Sequence, residues 1–351
     1  MSDVDVVVVG GGPVGLASAI EARLAGLSVM VIEPREDVID KACGEGLMPG
    51  ALPLLKRLGI DPEGMPLRGV SYRSAGARAD HLFRAGIGRG VRRTTLQTAL
   101  ADRAAQLGVA RTVGRVERLR QDADGVTVHA IASGGSVVDG IRSRWLFGVD
   151  GLHSTVRGLV GLEHPAPRTR RRYGLRRHFF AAPWSELIEV YWTRTTEVYI
   201  TPVAPDTVGV AVLGQQRIDL AEAIAEVPEL QARLGHSEPA SSLRGAGPFR
   251  QRATRPSAGR VLLVGDASGY VDAITGEGLR LGFDQARIAA AHVAIGDVSG
   301  YNRAWAKSTR DFRMLTSQLV GAANSPLRSA IVPAASLMPS VFGAVVERLA
   351  R

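Results

Sequence analysis

The chain has 351 residues, 45 % hydrophobic and 22 % charged, a globular composition that excludes collagen-like, coiled-coil and largely disordered classes. The formal net charge of +9 is carried mostly by scattered arginines, with lysine only at Lys41, Lys56 and Lys307. The one cluster, Arg170, Arg171, Arg172, Arg176 and Arg177, has no aromatic stacking pattern running through it, so no nucleic-acid partner is expected. Cys43 is the only cysteine, which rules out an intrachain disulfide and fits a reducing cytoplasm. The seven histidines show no metal-ligand spacing, so no metal is expected.

Residues 4–9 are almost continuously apolar and β-branched, the pattern of a strand buried on both faces of a parallel sheet. Its beginning so near the N-terminus leaves no room for a signal peptide. The strand leads into Gly10, Gly12 and Gly15, spaced as G-x-G-x-x-G, with Pro13 and Val14 between. A helix is expected over 16–25, with Glu21 and Arg23 outward and Gly26 as C-cap. A second buried strand over 28–32 ends at Glu33, followed by Pro34 and Arg35. Each type has a task in a dinucleotide cradle. Gly10 makes the tight turn, Gly12 admits a diphosphate to the backbone, and Gly15 lets helix and strand pack closely. The helix N-terminus offers free N–H groups to phosphate. Glu33, 18 residues after Gly15, can accept from ribose hydroxyls.

Residues 41–50 form a glycine-rich loop, Lys41-Ala42-Cys43-Gly44-Glu45-Gly46, before a helix at 51–58. Another helix opens at Arg93 and runs to about residue 108. A strand at 144–147 precedes Asp150-Gly151, and a strand at 260–264 precedes Gly265-Asp266. Gly276-Glu277-Gly278-Leu279 then opens a long helix over 279–295. Between Asp150-Gly151 and Gly265-Asp266, runs at 186–192, 197–203 and 207–213 read as an antiparallel meander, with Tyr191 and Trp192 on opposite faces. Residues 329–346 carry no charge but contain Pro333, Pro339 and Gly343, and read as a broken, buried helical hairpin. No stretch has the length and apolarity of a transmembrane helix, and membrane contact is not expected.

The dinucleotide unit, the Asp150-Gly151 motif and the Gly265-Asp266 motif, in that order, resemble FAD-dependent monooxygenases of the para-hydroxybenzoate hydroxylase type, related to the geranylgeranyl reductase family. The resemblance implies an α/β fold: a Rossmann-like FAD-binding domain (1–67, 92–164 and 255–300), an inserted antiparallel sheet domain for substrate (68–91 and 165–254), and C-terminal helices (301–351). It implies that Asp266 holds a ribityl hydroxyl and that Gly276 and Gly278 meet the flavin pyrimidine edge. It further implies that Arg93 contacts FAD and that Asp150 orders the diphosphate region. The family often has proline where this chain has Ala273.

The Cys43-Gly44-Glu45 loop is similar to the loop beside the isoalloxazine in the geranylgeranyl reductase branch. Cys43 and Glu45 are therefore the candidate catalytic residues. Chemistry alone would make Cys43 a small buried hydrophobe, and Glu45 is either a proton donor or a partner of Lys41. The halogenase signature Trp-x-Trp-x-Ile is missing. No second strand–glycine–helix unit is present; Gly245-Ala246-Gly247-Pro248 lacks a preceding strand and a following helix. NAD(P)H would then bind only transiently as reductant. The expected substrate is apolar or aromatic, with Arg176 and Arg177 as candidates to meet an anionic group. An alkene (prenyl) reductase is the alternative, a flavin-binding module without turnover the third reading. A separate reductase partner is compatible with the sequence.

Overall fold

The computed structural model describes residues 2–132, 137–165, 171–215 and 217–351, and the side chains of 137–139 are not described. Arg170 of the arginine cluster lies outside the described residues. The apolar run Val4–Val9 is a central strand, paired in parallel with Val29–Glu33 on one side and Val137–Gly148 on the other. The sheet continues outward through Ala110–Val113 at one edge, and through Val261–Leu263 and Ser257–Ala258 at the other. Alternation along the central strand serves two cores. Val6 and Val8 pack against the helices Pro13–Leu24, Arg93–Gln106 and Gly278–Ala294, while Val7 and Val9 face the opposite layer. All four valines are buried, each worth about 1.5–3 kcal/mol relative to exposure.

The strand expected at 144–147 is longer than the sequence suggested. Val137–Gly148 pairs with the central strand and also carries an antiparallel hairpin, Val126–Ile131 and Arg115–Gln121. That hairpin was not foreseen. Arg115–Gln121 has the charged alternation of a half-exposed strand rather than an apolar run. Glu21, expected outward, is buried at 5 % exposure and bonded to Arg57 at 3.0 Å, because the helix Ala51–Arg57 covers that face.

A second sheet has seven strands in the order Arg244–Ala246, Arg172–Phe180, Thr207–Gln215, Thr196–Ala204, Leu187–Trp192, Gly69–Ser74 and Ala77–Leu82. The expected meander is present within it. Tyr191 and Trp192 enter different cores on its two faces, as alternation requires. Among the described residues of this sheet, only the pairing of Leu187–Trp192 with Gly69–Ser74 is parallel, where two distant stretches of chain meet. Gly245 lies in the edge strand, so the glycines there follow sheet rather than a nucleotide turn.

A buried ion cluster fastens this sheet to the rest. Arg172 bonds Glu197 and Asp272, and Arg328 bonds Glu197 from the tail. The tail consists of Val298–Ala323, a short 3-10 turn, Ile331–Leu337 and Pro339–Ala350. Pro326–Leu337, the 3-10 turn with the helix that follows it, meets Pro339–Ala350 at 102°, where Pro339 interrupts the hydrogen-bond ladder. The hairpin is not buried throughout: Val332, Phe342 and Val346 face the protein, whereas Leu337 is 83 % exposed at the bend. No single described helix is long and apolar enough to cross a membrane.

Candidate functional site

The glycine turn follows the central strand directly. Gly10 has φ +111°, and a side chain there would strike the Val149 carbonyl oxygen at 2.5 Å. A Cβ at Gly15 would lie 1.8 Å from the Gly10 carbonyl oxygen, so strand and helix approach as closely as glycine allows. Gly12 differs: its missing side chain would meet only an Arg93 guanidinium nitrogen, at 3.8 Å. Gly12 also forms the N-cap of the helix Pro13–Leu24 and supplies no side-chain cap, leaving that end open to an anion. Glu33 is buried at the end of its strand, accepting from the Gly11 N–H at 2.8 Å and the Arg35 N–H at 3.2 Å. Gln97, which the sequence did not single out, donates to the Gly11 carbonyl at 2.7 Å. The buried atoms Gln97 Oε1 and Arg93 Nε have no partner.

Charges converge on this turn from four segments. Arg93 and Lys41 both act on Asp266, whose carboxyl is pushed up by burial and pulled down by these two cations. Lys41 is pushed below the ordinary lysine value by surrounding protein, then by Arg35 and Arg93. Its ammonium lies 3.9 Å from where a Cβ on Gly151 would be. Two crowded cations beside an open helix end are poised for a doubly charged diphosphate. A Cβ on Gly44 would meet nothing within 4 Å, and one on Gly276 only Met48 Cε at 3.8 Å. The turn at 276–278 thus approaches the loop at Met48, while the loop is open at Gly44. Tyr270 borders the turn, 3.6 Å from a Cβ built on Gly278, and its hydroxyl is raised by burial and then by Asp266, Asp272 and Cys43. Pro34 and Leu279 flank the cradle in sequence, after Glu33 and Gly278.

Asp150 turns its carboxylate into its own loop, accepting from Ser154 Oγ at 2.5 Å and the Val156 N–H at 3.0 Å. It orders the segment rather than reaching outward. Arg157, buried, links the same segment to the Asp266 turn by donating to the Ala267 carbonyl at 3.1 Å.

Cys43 is half-buried, and its Sγ accepts from the Glu45 N–H at 3.4 Å. Glu45 is not the partner of Lys41. It is buried at 3 % exposure, with one carboxylate oxygen accepting from the Arg93 N–H at 2.7 Å and the other bonded to His178 Nε2 at 2.5 Å. Its φ of +59° places a non-glycine residue in the left-handed region, a conformation costing about 1–2 kcal/mol that these bonds hold in place. Thr201 of the second sheet donates to the Gly44 carbonyl at 2.9 Å. Arg176 does not await an anionic ligand: buried, it donates to Asp40 and to the Lys41 carbonyl. Glu277 is buried with Oε2 on Arg280 at 2.5 Å and Oε1 unpartnered, and burial raises its carboxyl to about 7.

The family model described as an FAD binding domain matches residues 3–295. A 12-dehydrotetracycline 5-monooxygenase/anhydrotetracycline 6-monooxygenase from Streptomyces rimosus is 30 % identical over 80 % of this chain and 61 % of its own length, so the chain spans about three fifths of that relative. The menaquinone reductase of Mycolicibacterium smegmatis is 28 % identical over 86 % of this chain and 79 % of its own. The p-nitrophenol 4-monooxygenase PnpA from Pseudomonas putida, 22 % identical, superposes with a TM-score of 0.80 over 99 % of both chains, a likeness of fold.

Proposed function

The chain belongs to the FAD binding domain family, and on that premise we propose that it is an FAD-dependent monooxygenase acting on an apolar or aromatic small molecule. The observation that carries the reading is the meeting of an open glycine turn, the cations Arg93 and Lys41, and half-buried Asp266, beside a loop that the second sheet holds through Thr201. FAD, when bound, supplies the redox chemistry, passing reducing equivalents from transiently bound NAD(P)H to dioxygen. The protein binds, orients and excludes water. Gly12 and the helix end, with Arg93 and Lys41, neutralise the diphosphate, and Glu33 takes the ribose. Asp266 holds the ribityl chain, and Gly276 and Gly278 present the N-terminus of the helix Gly278–Ala294 to the flavin pyrimidine edge. Asp150 preserves the shape of the diphosphate region from within its own turn. Cys43 and Gly44 lie where the loop meets the sheet, the place for substrate contact.

The alternative, reduction of an isoprenoid double bond, is favoured by the Cys43-Gly44-Glu45 loop and by the similarity to a menaquinone reductase. One experiment separates the two. The flavin-loaded protein is given NAD(P)H and candidate substrates under isotopically labelled dioxygen, and in parallel without oxygen. Label in the product supports the monooxygenase. A saturated double bond formed anaerobically replaces it with the reductase. Cys43→Ala lowers turnover of either reaction if the thiol touches substrate, and unchanged turnover makes Cys43 packing alone.

A further inference from the structure

His178 lies on the second sheet, 133 positions after Glu45, and carries no expected role in the cofactor site. It is 1 % exposed. Its Nδ1 faces two groups that can donate, Ser241 Oγ at 2.8 Å and Arg176 Nη1 at 3.3 Å. Nε2 faces the Glu45 carboxylate. The donor pattern assigns the ring proton to Nε2, which donates to Glu45. The other Glu45 oxygen accepts the Arg93 N–H, at the start of the helix that carries the Arg93 guanidinium to Gly12. The Glu45 backbone, in its left-handed conformation, also accepts from the Val91 N–H and donates to Cys43 Sγ. One carboxylate therefore ties together the diphosphate arginine, the Cys43 loop and the second sheet. Arg93 and Cys43 are linked to His178 through Glu45, which bonds all three.

We propose that His178 is a positioning residue for the cofactor: through Glu45 it fixes Arg93 and the Cys43 loop in the geometry that grips FAD. The inference rests on the FAD reading above, and the test keeps the two apart. FAD affinity is measured by quenching of flavin fluorescence on full-length protein, with thermal melts to follow folding. The wild type binds FAD; if it does not, the cofactor reading fails before His178 is reached. His178→Leu weakens binding about tenfold or more, the effect of losing one charge-assisted link. His178→Gln, whose amide nitrogen can reach the Nε2 position, restores affinity to within about threefold. In an Arg93→Gln background His178→Leu adds little further loss, because both act on one contact. Wild-type affinity in His178→Leu, or losses that multiply in the double variant, overturns the proposal. A fall in melting temperature with unchanged affinity does the same, since it leaves His178 a purely structural residue. Should His178→Leu not fold, Ser241→Ala reads the link from its half-exposed end, with a weakening of about twofold expected and unchanged affinity overturning it.

Discussion

Glu277 offers a test in which physics sets both sign and size. Its carboxyl is buried at 1 % exposure, with Oε1 unpartnered and only Arg280, itself partly exposed, against Oε2. Burial outweighs the ion pair and raises the group from 4.5 to about 7. The folded protein therefore holds this proton up to about pH 7, whereas the unfolded chain releases it near pH 4.5. Stability falls as pH rises between these values, and the penalty is complete above the folded value. The shift corresponds to roughly 3 kcal/mol between protonation states. Glu277→Gln replaces the carboxyl by a group that cannot ionise. It should match the wild type at about pH 3.5 and exceed it by about 3 kcal/mol near about pH 8. Urea unfolding of both proteins at fixed salt across that range, after removal of flavin, gives the difference and cancels every other titrating group. A gap independent of pH, or one that widens toward acid, would refute the reasoning.

Gly15→Ala places a methyl 1.8 Å from the Gly10 carbonyl oxygen, so strand and helix must part; purified protein should carry no flavin and melt at lower temperature, read by absorbance and calorimetry. Arg172→Met leaves Asp272 buried without its cation and Glu197 with Arg328 alone and should cost about 3–5 kcal/mol by denaturant titration. An effect under about 1 kcal/mol would mean the cluster relaxes around the loss.

The cradle was legible because its parts are local. Strand, glycines, helix and Glu33 follow within thirty-three residues, and each is required by backbone geometry or burial. The meander between 187 and 215 was legible for the same reason, its alternation being short-range. Partners far apart in the chain were not. Glu21 looked like a solvent-facing helix residue until Arg57 closed over it. Glu45 suggested Lys41, four positions away, whereas its partners are 48 and 133 positions distant. Arg176 carried the look of a ligand-binding cation, yet Asp40 already occupies it. Periodicity reports which face is apolar; it holds no information on which buried charge a distant strand will supply. The exposed bend at Leu337 illustrates the converse, since an uncharged, apolar stretch can turn its apex outward when a proline forces a corner.

The parallel seam of the second sheet, Leu187–Trp192 against Gly69–Ser74, has a kinetic corollary. A ribosome delivers Gly69–Leu82 more than a hundred residues before the strand that shelters its inner edge, so this early hairpin waits with an unpaired rim that other chains can zip onto. The nascent polypeptide is thus open to self-association at mid-synthesis, and a chaperone that covers the hairpin over that interval would raise soluble yield without any change to the finished fold.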